Sequence, residues 1–247
     1  MIDFNKRVAI VTGGANGIGL ATAQLLAQFG ATVVVFDLEK KSTEKSIEAV
    51  EIDLRDRRAC QLAVESVAKK YGTIDILVNV AGVSIPSALL ELDTQPYDLT
   101  MDVNLHAPVF LMKCAAQEMV KHNYGRIVNI TSIHSKLSEP TSIAYDISKA
   151  GLEAATRTAA IELAANGVLV NAIAPGFVST RMSIVNGEDE LESKWFKSIY
   201  IENKKLPILR LAMPKEIATT VAWFASESNS HVTGHSLIVD GGLSARF

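Results

Sequence analysis

The chain has 247 residues, 48% apolar and 21% charged, with a net charge of -3. These ordinary globular values exclude wholesale disorder and a collagen-like repeat, and the charge offers no broad basic surface for nucleic acid or an anionic membrane. Cys60 and Cys114 are too few for a disulfide framework and lack metal-ligand spacing, so buried thiols and no metal are expected. Residues 1–7 place their charges before a short apolar run that ends at Thr12-Gly13-Gly14, unlike a secretory leader. No apolar stretch nears the roughly 18 residues of a membrane span, so a soluble, cytoplasmic protein is expected.

In chain order, Val8-Ala9-Ile10-Val11 reads as a buried strand. Residues 17–29 carry Ile18, Ala21, Leu25 and Phe29 at helical spacing, with Gly30 as the stop. Residues 32–36 read as a second strand, and 48–52 as a weaker third. Residues 55–71 form a charged amphipathic helix ending at Gly72, and 74–78 a strand. Residues 95–122 are helical, with Pro108 marking a kink or break. A strand at 126–130, a long Ala-rich helix at 145–166, a strand at 168–173, a helix at 214–226 opened by Pro214 and a last strand at 237–239 complete the series. Apolar strands alternating with helices imply an α/β fold: a Rossmann-type, doubly wound sheet of parallel strands with helices on both faces. Seven strands account for the length, so residues 1–247 read as one domain. Residues 181–206 interrupt the alternation. They are either a surface insertion or, as we favour, a flap over a site at the strands' carboxyl ends.

Thr12-Gly13-Gly14-Ala15-Asn16-Gly17-Ile18-Gly19 joins the first strand to the first helix. Glycines let a ligand approach the backbone closely. The free N–H groups and dipole of the helix start then favour a pyrophosphate, which singles out Gly13, Asn16, Gly17, Ile18 and Gly19. Asp37, followed by Leu38, ends the second strand. A carboxylate there can accept hydrogen bonds from an adenosine ribose diol and repels a 2′-phosphate. With no Arg or Lys in the glycine loop, NAD is expected over NADP. Lys40 and Lys41 soften that discrimination, and an Asp at a strand end also serves as a plain turn residue.

Tyr145 and Lys149 share a helix face. A phenol with a pKa near 10 is a poor base, but a nearby ammonium and an oxidised nicotinamide both favour phenolate, so Tyr145 can take a proton from an alcohol as hydride leaves.

With these motifs in order, the chain resembles the classical short-chain dehydrogenase/reductases over nearly its whole length. The glycine motif matches residues 12–19. Asn79-Val80-Ala81-Gly82 matches the family's Asn-Asn-Ala-Gly, departing at Val80. Tyr145 and Lys149 match the active-site pair, Ser132 the serine 13 residues upstream, and Asn104 the catalytic asparagine. The resemblance implies that Tyr145 is the general acid/base and that Ser132 hydrogen-bonds the substrate oxygen. It implies that Lys149 binds the nicotinamide ribose and lowers the Tyr145 pKa, while Asn104 holds a water of the proton relay. It also implies that Asp53 and Leu54 meet the adenine and that Asn79, Ala81 and Gly82 pack behind the cofactor. Pro175, Gly176, Val178 and Thr180 would hold the nicotinamide. A homotetramer is implied as well, and the small residues along 145–166 suit close helix approach, although they equally suit packing on the parent sheet.

For the substrate, His134 and Glu139 are candidate polar contacts, each also readable as a solvated loop residue. Trp195, Phe196 and Tyr200 either cover a ligand or pack within the flap. Ser132-Ile133-His134 is similar to a stretch of bacterial glucose and polyol dehydrogenases, whereas Asp37 and residues 83–88 depart from the NADP-linked acyl-carrier-protein reductases. NAD-linked oxidation of a sugar or polyol hydroxyl is expected, with reduction of a 3-oxoacyl thioester as the alternative. A non-catalytic NAD sensor would need the glycine loop but not Ser132, Tyr145, Lys149 and Asn104 together.

Overall fold

The computed structural model describes residues 2–40, 46–185 and 187–245. Lys41, Arg246 and Phe247 lie outside the described residues. The parallel strands are β1 (Val8–Thr12), β2 (Thr32–Asp37), β3 (Ile47–Glu51), β4 (Ile76–Asn79), β5 (Gly125–Ile130), β6 (Val168–Pro175) and a last strand, Ser236–Val239. In space the order is β3, β2, β1, β4, β5, β6 and the last strand, so it reverses between β1 and β4. That reversal opens a crevice at the carboxyl ends of the strands, where such sheets bind ligands.

The apolar runs are continuous because both faces of the sheet are covered. Val8 and Ile10 pack with Val34, Phe36, Leu77 and Ile127 on one side. Ala9 and Val11 pack with Val33, Val35, Ile76 and Val78 on the other. The first side is closed by α2 (Arg57–Tyr71), α4 (Ala107–Met119) and α5 (Ile143–Leu163), the second by α1 (Gly17–Gln28) and a final helix, Pro214–Ala225. Each fully buried Ile, Leu or Phe contributes roughly 1.5–3 kcal/mol relative to exposure. Cys60 and Cys114 are buried free thiols. Among the described residues, no helix is long and apolar enough to cross a membrane.

Two segments carry detail that the sequence pattern does not show. The helical run around residues 95–122 continues through Pro108. In it α3 (Thr94–Met101) passes through a π-helical turn, Asp102–His106, into α4, with the Ala107 N–H on the Asp102 carbonyl. Pro108 has no N–H to give the Asn104 carbonyl its usual bond, and widening the preceding turn absorbs the defect. Residues 181–206 are also more ordered than a polar insertion suggests. They hold an antiparallel ribbon of Ile184–Val185 with Glu188–Asp189, then a helical stretch over 194–202.

Candidate active site and cofactor cleft

The glycine loop crosses the carboxyl end of β1. Gly13 has φ +67°, and a Cβ there would stand 2.8 Å from the Ala81 Cα. Gly19 is tighter still, its Cβ position lying 2.1 Å from the Gly13 carbonyl oxygen. The start of α1 has no side-chain cap from Asn16 and no acidic residue in its first turn. It therefore keeps donors and positive dipole for an anion, and a dinucleotide pyrophosphate fits. Across the cleft, Thr180 Cγ2 comes within 3.3 Å of where a Gly17 Cβ would sit. Ile18 lies half-buried beside it.

Asp37 serves as a turn residue at the strand end and also holds the glycine loop. Its carboxylate accepts from the Ala15 N–H at 2.9 Å, tying the glycine loop to β2, and from the Glu39 N–H at 3.0 Å as a turn residue. It stays half-exposed on the cleft rim, where Leu38 is 68% exposed. Asp53 is engaged by Arg55, whose guanidinium holds its carboxyl below the usual range, while Leu54 is buried in the core. Asn79 faces into the sheet, donating to Asn129 Oδ1 at 2.8 Å. Ala81 and Gly82 follow Asn79, half-buried. The backbone holding them is fixed by Thr12, whose hydroxyl oxygen accepts from the Val80 and Ala81 N–H groups at 3.0 and 3.1 Å. Gly176 follows Pro175 where a Cβ would stand 2.8 Å from the Asp240 Cβ, and Val178 pairs with Ala212 in an isolated bridge.

The four candidate catalytic residues converge. Ser132 follows β5, buried, near enough to the Tyr145 phenol to favour its ionised form. Lys149 is buried and donates from Nζ to the Ile130 carbonyl at 2.9 Å, with Nζ 5.5 Å from the Tyr145 ring centre. Asn104 sits in the π-helical turn. Its Oδ1 accepts from the Val83 N–H at 2.8 Å, and its Nδ2 donates to the Val83 carbonyl at 2.8 Å and to Ser148 Oγ at 3.2 Å. A Cβ on Gly82 would lie 3.3 Å from Asn104 Oδ1 and 3.5 Å from Lys149 Nζ, so a side chain there would press on Asn104 and touch Lys149.

The electrostatics differ from expectation in one respect. Burial pushes the Tyr145 phenol above its ordinary value, and the neighbouring Ser132 hydroxyl offsets only part of that. Burial also pushes Lys149 down to about 8. The protein alone therefore does not lower the Tyr145 pKa through Lys149. Burial sets the direction of both shifts.

Of the substrate candidates, His134 is brought to the site. Its ring lies edge-on to Tyr145, with centres 5.5 Å apart. Glu139 accepts from the Tyr200 hydroxyl at 3.2 Å, and burial pushes that phenol up to about 12. Phe196 and Tyr200 are buried against Phe177 and Leu206 as a small core of their own, so they pack the segment rather than line its surface. Trp195 is 65% exposed and packs edge-on to Tyr200. Asp146, which had no assigned role, pairs with His134.

A glycine-rich strand-to-helix turn at a switch point, with an adjoining Ser–Tyr–Lys–Asn cluster, defines a nicotinamide-dependent oxidoreductase of Rossmann type. A family model described as enoyl-(acyl carrier protein) reductase matches residues 13–244. A 3-oxoacyl-[acyl-carrier-protein] reductase of Thermotoga maritima is 34% identical over 247 residues, 96% of this chain and 97% of that protein. Glucose 1-dehydrogenase 2 of Bacillus subtilis is 31% identical over 98% of this chain and 96% of its own length. A crystal structure of a putative short-chain alcohol dehydrogenase from Sinorhizobium meliloti superposes with a TM-score of 0.91 at 32% identity, covering 100% of this chain and 99% of that one. The chain belongs to the classical short-chain dehydrogenase/reductase family.

Proposed function

We propose that the protein is an NAD-linked dehydrogenase of a secondary alcohol, with a sugar or polyol hydroxyl as the favoured substrate. The observation that carries this reading is the acidic lining at both ends of the cleft. At the cofactor end Asp37 stands on the rim, where a 2′-phosphate would meet a carboxylate, and Arg181 is engaged by Glu39 at 3.4 Å. At the substrate end His134 is flanked by Asp146 and Glu139, an arrangement suited to a neutral polyhydroxy compound and hostile to an anionic acyl carrier. The Bacillus subtilis relative, a glucose dehydrogenase by name, supports the same substrate class. The Thermotoga maritima relative keeps 3-oxoacyl thioester reduction as the second reading.

In this reading the glycine loop holds the pyrophosphate, Asp37 the adenosine ribose, and Asp53 with Leu54 the adenine edge. Asn79, Ala81, Gly82, Pro175, Gly176, Val178 and Thr180 shape the nicotinamide end, and Lys149 binds its ribose. A bound oxidised nicotinamide would supply the hydride acceptor and, before transfer, a positive charge beside Tyr145. The Ser132 hydroxyl holds the substrate oxygen, and Tyr145 Oη takes its proton. Asn104 has its side chain committed to Val83 and Ser148, so any water-holding role falls to its carbonyl in the π-helical turn. His134 and Trp195 are the proposed substrate contacts from the loop after Ser132 and from the flap. A homotetramer belongs to this reading, supported by the exposed α5 face with Ile147 and Ile161.

Cofactor choice is tested by comparing kcat/KM for NAD and NADP in the wild type and in Asp37→Ser. A wild-type preference for NAD of about a hundredfold is expected, roughly 2.7 kcal/mol, with most of it lost in the variant. Equal use of both cofactors by the wild type contradicts the assignment.

A further inference from the structure

His134 is tied into the site at both ends. Its backbone N–H donates to Ser132 Oγ at 3.2 Å, and its ring lies against Tyr145. Its Nδ1 meets Asp146 Oδ1 at 2.7 Å. An ionised carboxylate only accepts, so this contact puts a proton on Nδ1, and in the neutral imidazole Nε2 is then the acceptor. Nε2 stands 4.0 Å from Glu139 Oε2, beyond hydrogen-bond reach, while the other Glu139 oxygen is taken by Tyr200. In that tautomer Nε2 and the Glu139 carboxylate are two acceptors side by side on the loop after Ser132, a pair that a donor would satisfy.

Resting on the alcohol-oxidation reading, we propose that Asp146 is a positioning residue. It fixes the His134 tautomer so that Nε2 accepts from a second substrate hydroxyl beside the carbinol being oxidised, making the enzyme selective for 1,2-diols. A plain secondary alcohol lacks that donor. A 3-oxoacyl chain would turn a carbonyl oxygen toward the same acceptors. Sites built around a hydroxyl discriminate strongly against analogues that leave the buried partner unpaired.

Two readouts test this. The first is kcat/KM with NAD for cis-cyclohexane-1,2-diol relative to cyclohexanol. The ratio is expected at about 10–100 in the wild type, to fall toward one in His134→Leu and Asp146→Ala, and to be largely kept in Asp146→Asn, which retains an acceptor for Nδ1. The second is the ¹⁵N-edited spectrum of His134, assigned by its loss in His134→Leu. A single Nδ1-protonated neutral ring is expected in the wild type and a tautomer mixture in Asp146→Ala. A wild-type ratio near one, a ratio unmoved by His134→Leu, or a proton on wild-type Nε2 overturns the proposal. If neither alcohol is oxidised but an acetoacetyl thioester is reduced, the alcohol reading fails together with the diol selectivity. The spectrum, recorded without substrate, then still decides whether Asp146 sets the tautomer.

Discussion

Tyr145→Phe is expected to lower kcat by about a thousandfold or more while NAD binding stays within a few-fold of wild type. General acid–base groups typically supply about 10²–10⁴ in rate. In the proposed function the phenol beside Ser132 is the group that exchanges the substrate proton. The substitution removes one oxygen and keeps the ring, so the edge-on packing against His134 and the backbone of α5 are preserved. Fluorescence or calorimetric titration with NAD, run beside steady-state rates, separates the two effects. Unchanged turnover removes Tyr145 from the proposed role, and a parallel loss of NAD binding would mean that the substitution disturbs the cleft. Because burial raises the phenol, oxidation by the wild type is expected to speed up as pH rises, and this dependence should vanish in the residual activity of the variant.

Lys149→Met is expected to abolish turnover and yet stabilise the fold. The ammonium is 3% exposed, and burial depresses it from 10.5 to about 8. At neutral pH the lysine is charged in both the folded and unfolded states, so the fold bears a desolvation cost of about 3 kcal/mol. That cost is relieved as pH rises from about 8 to 10.5, because over this window the unfolded chain still binds the proton and the folded one does not. Methionine fills a similar volume without charge. Its one debit is the Ile130 carbonyl, which loses its donor at about 1 kcal/mol. A net gain of about 1–3 kcal/mol at pH 7 is expected, together with a flatter stability profile between pH 8 and 10.5. Urea unfolding across that range measures it. A destabilised Lys149→Met protein, or one whose profile rises as steeply as wild type, would show that the ammonium is better solvated than its burial implies. Stability lost to hold a charge where chemistry uses it is a familiar trade at functional sites.

The parts of the site that were legible in the sequence are those written in local spacing. Gly13 to Gly19 lie in one strand-to-helix connection, Asp37 closes the next strand, and Tyr145 and Lys149 lie one helical turn apart, so local spacing marks them as candidates, and the family resemblance adds Ser132 and Asn104. The π-helical turn at Asp102–His106 left no such trace. One extra residue per turn barely disturbs an apolar pattern, and Pro108 by itself reads as a kink. The buried polar ties were equally silent. Thr12 holding Val80 and Ala81, and Asn79 meeting Asn129, connect residues brought together only by strand order. The pairing of His134 with Asp146 spans a loop whose path no propensity specifies. The direction of the Tyr145 and Lys149 shifts depends on how deeply α5 and β5 bury both groups, a tertiary quantity. The flap aromatics, open between covering and packing in the sequence, divide: Phe196 and Tyr200 are core, and Trp195 faces outward.

The most direct test of NAD-linked alcohol oxidation at this site is the initial rate of NADH formation by the purified protein across sugars, polyols and simple secondary alcohols. It is run beside NADPH and NADH oxidation with an acetoacetyl thioester. NADH formation with at least one sugar or polyol, well above any thioester rate, is the predicted result. Activity confined to the thioester with NADPH would contradict it.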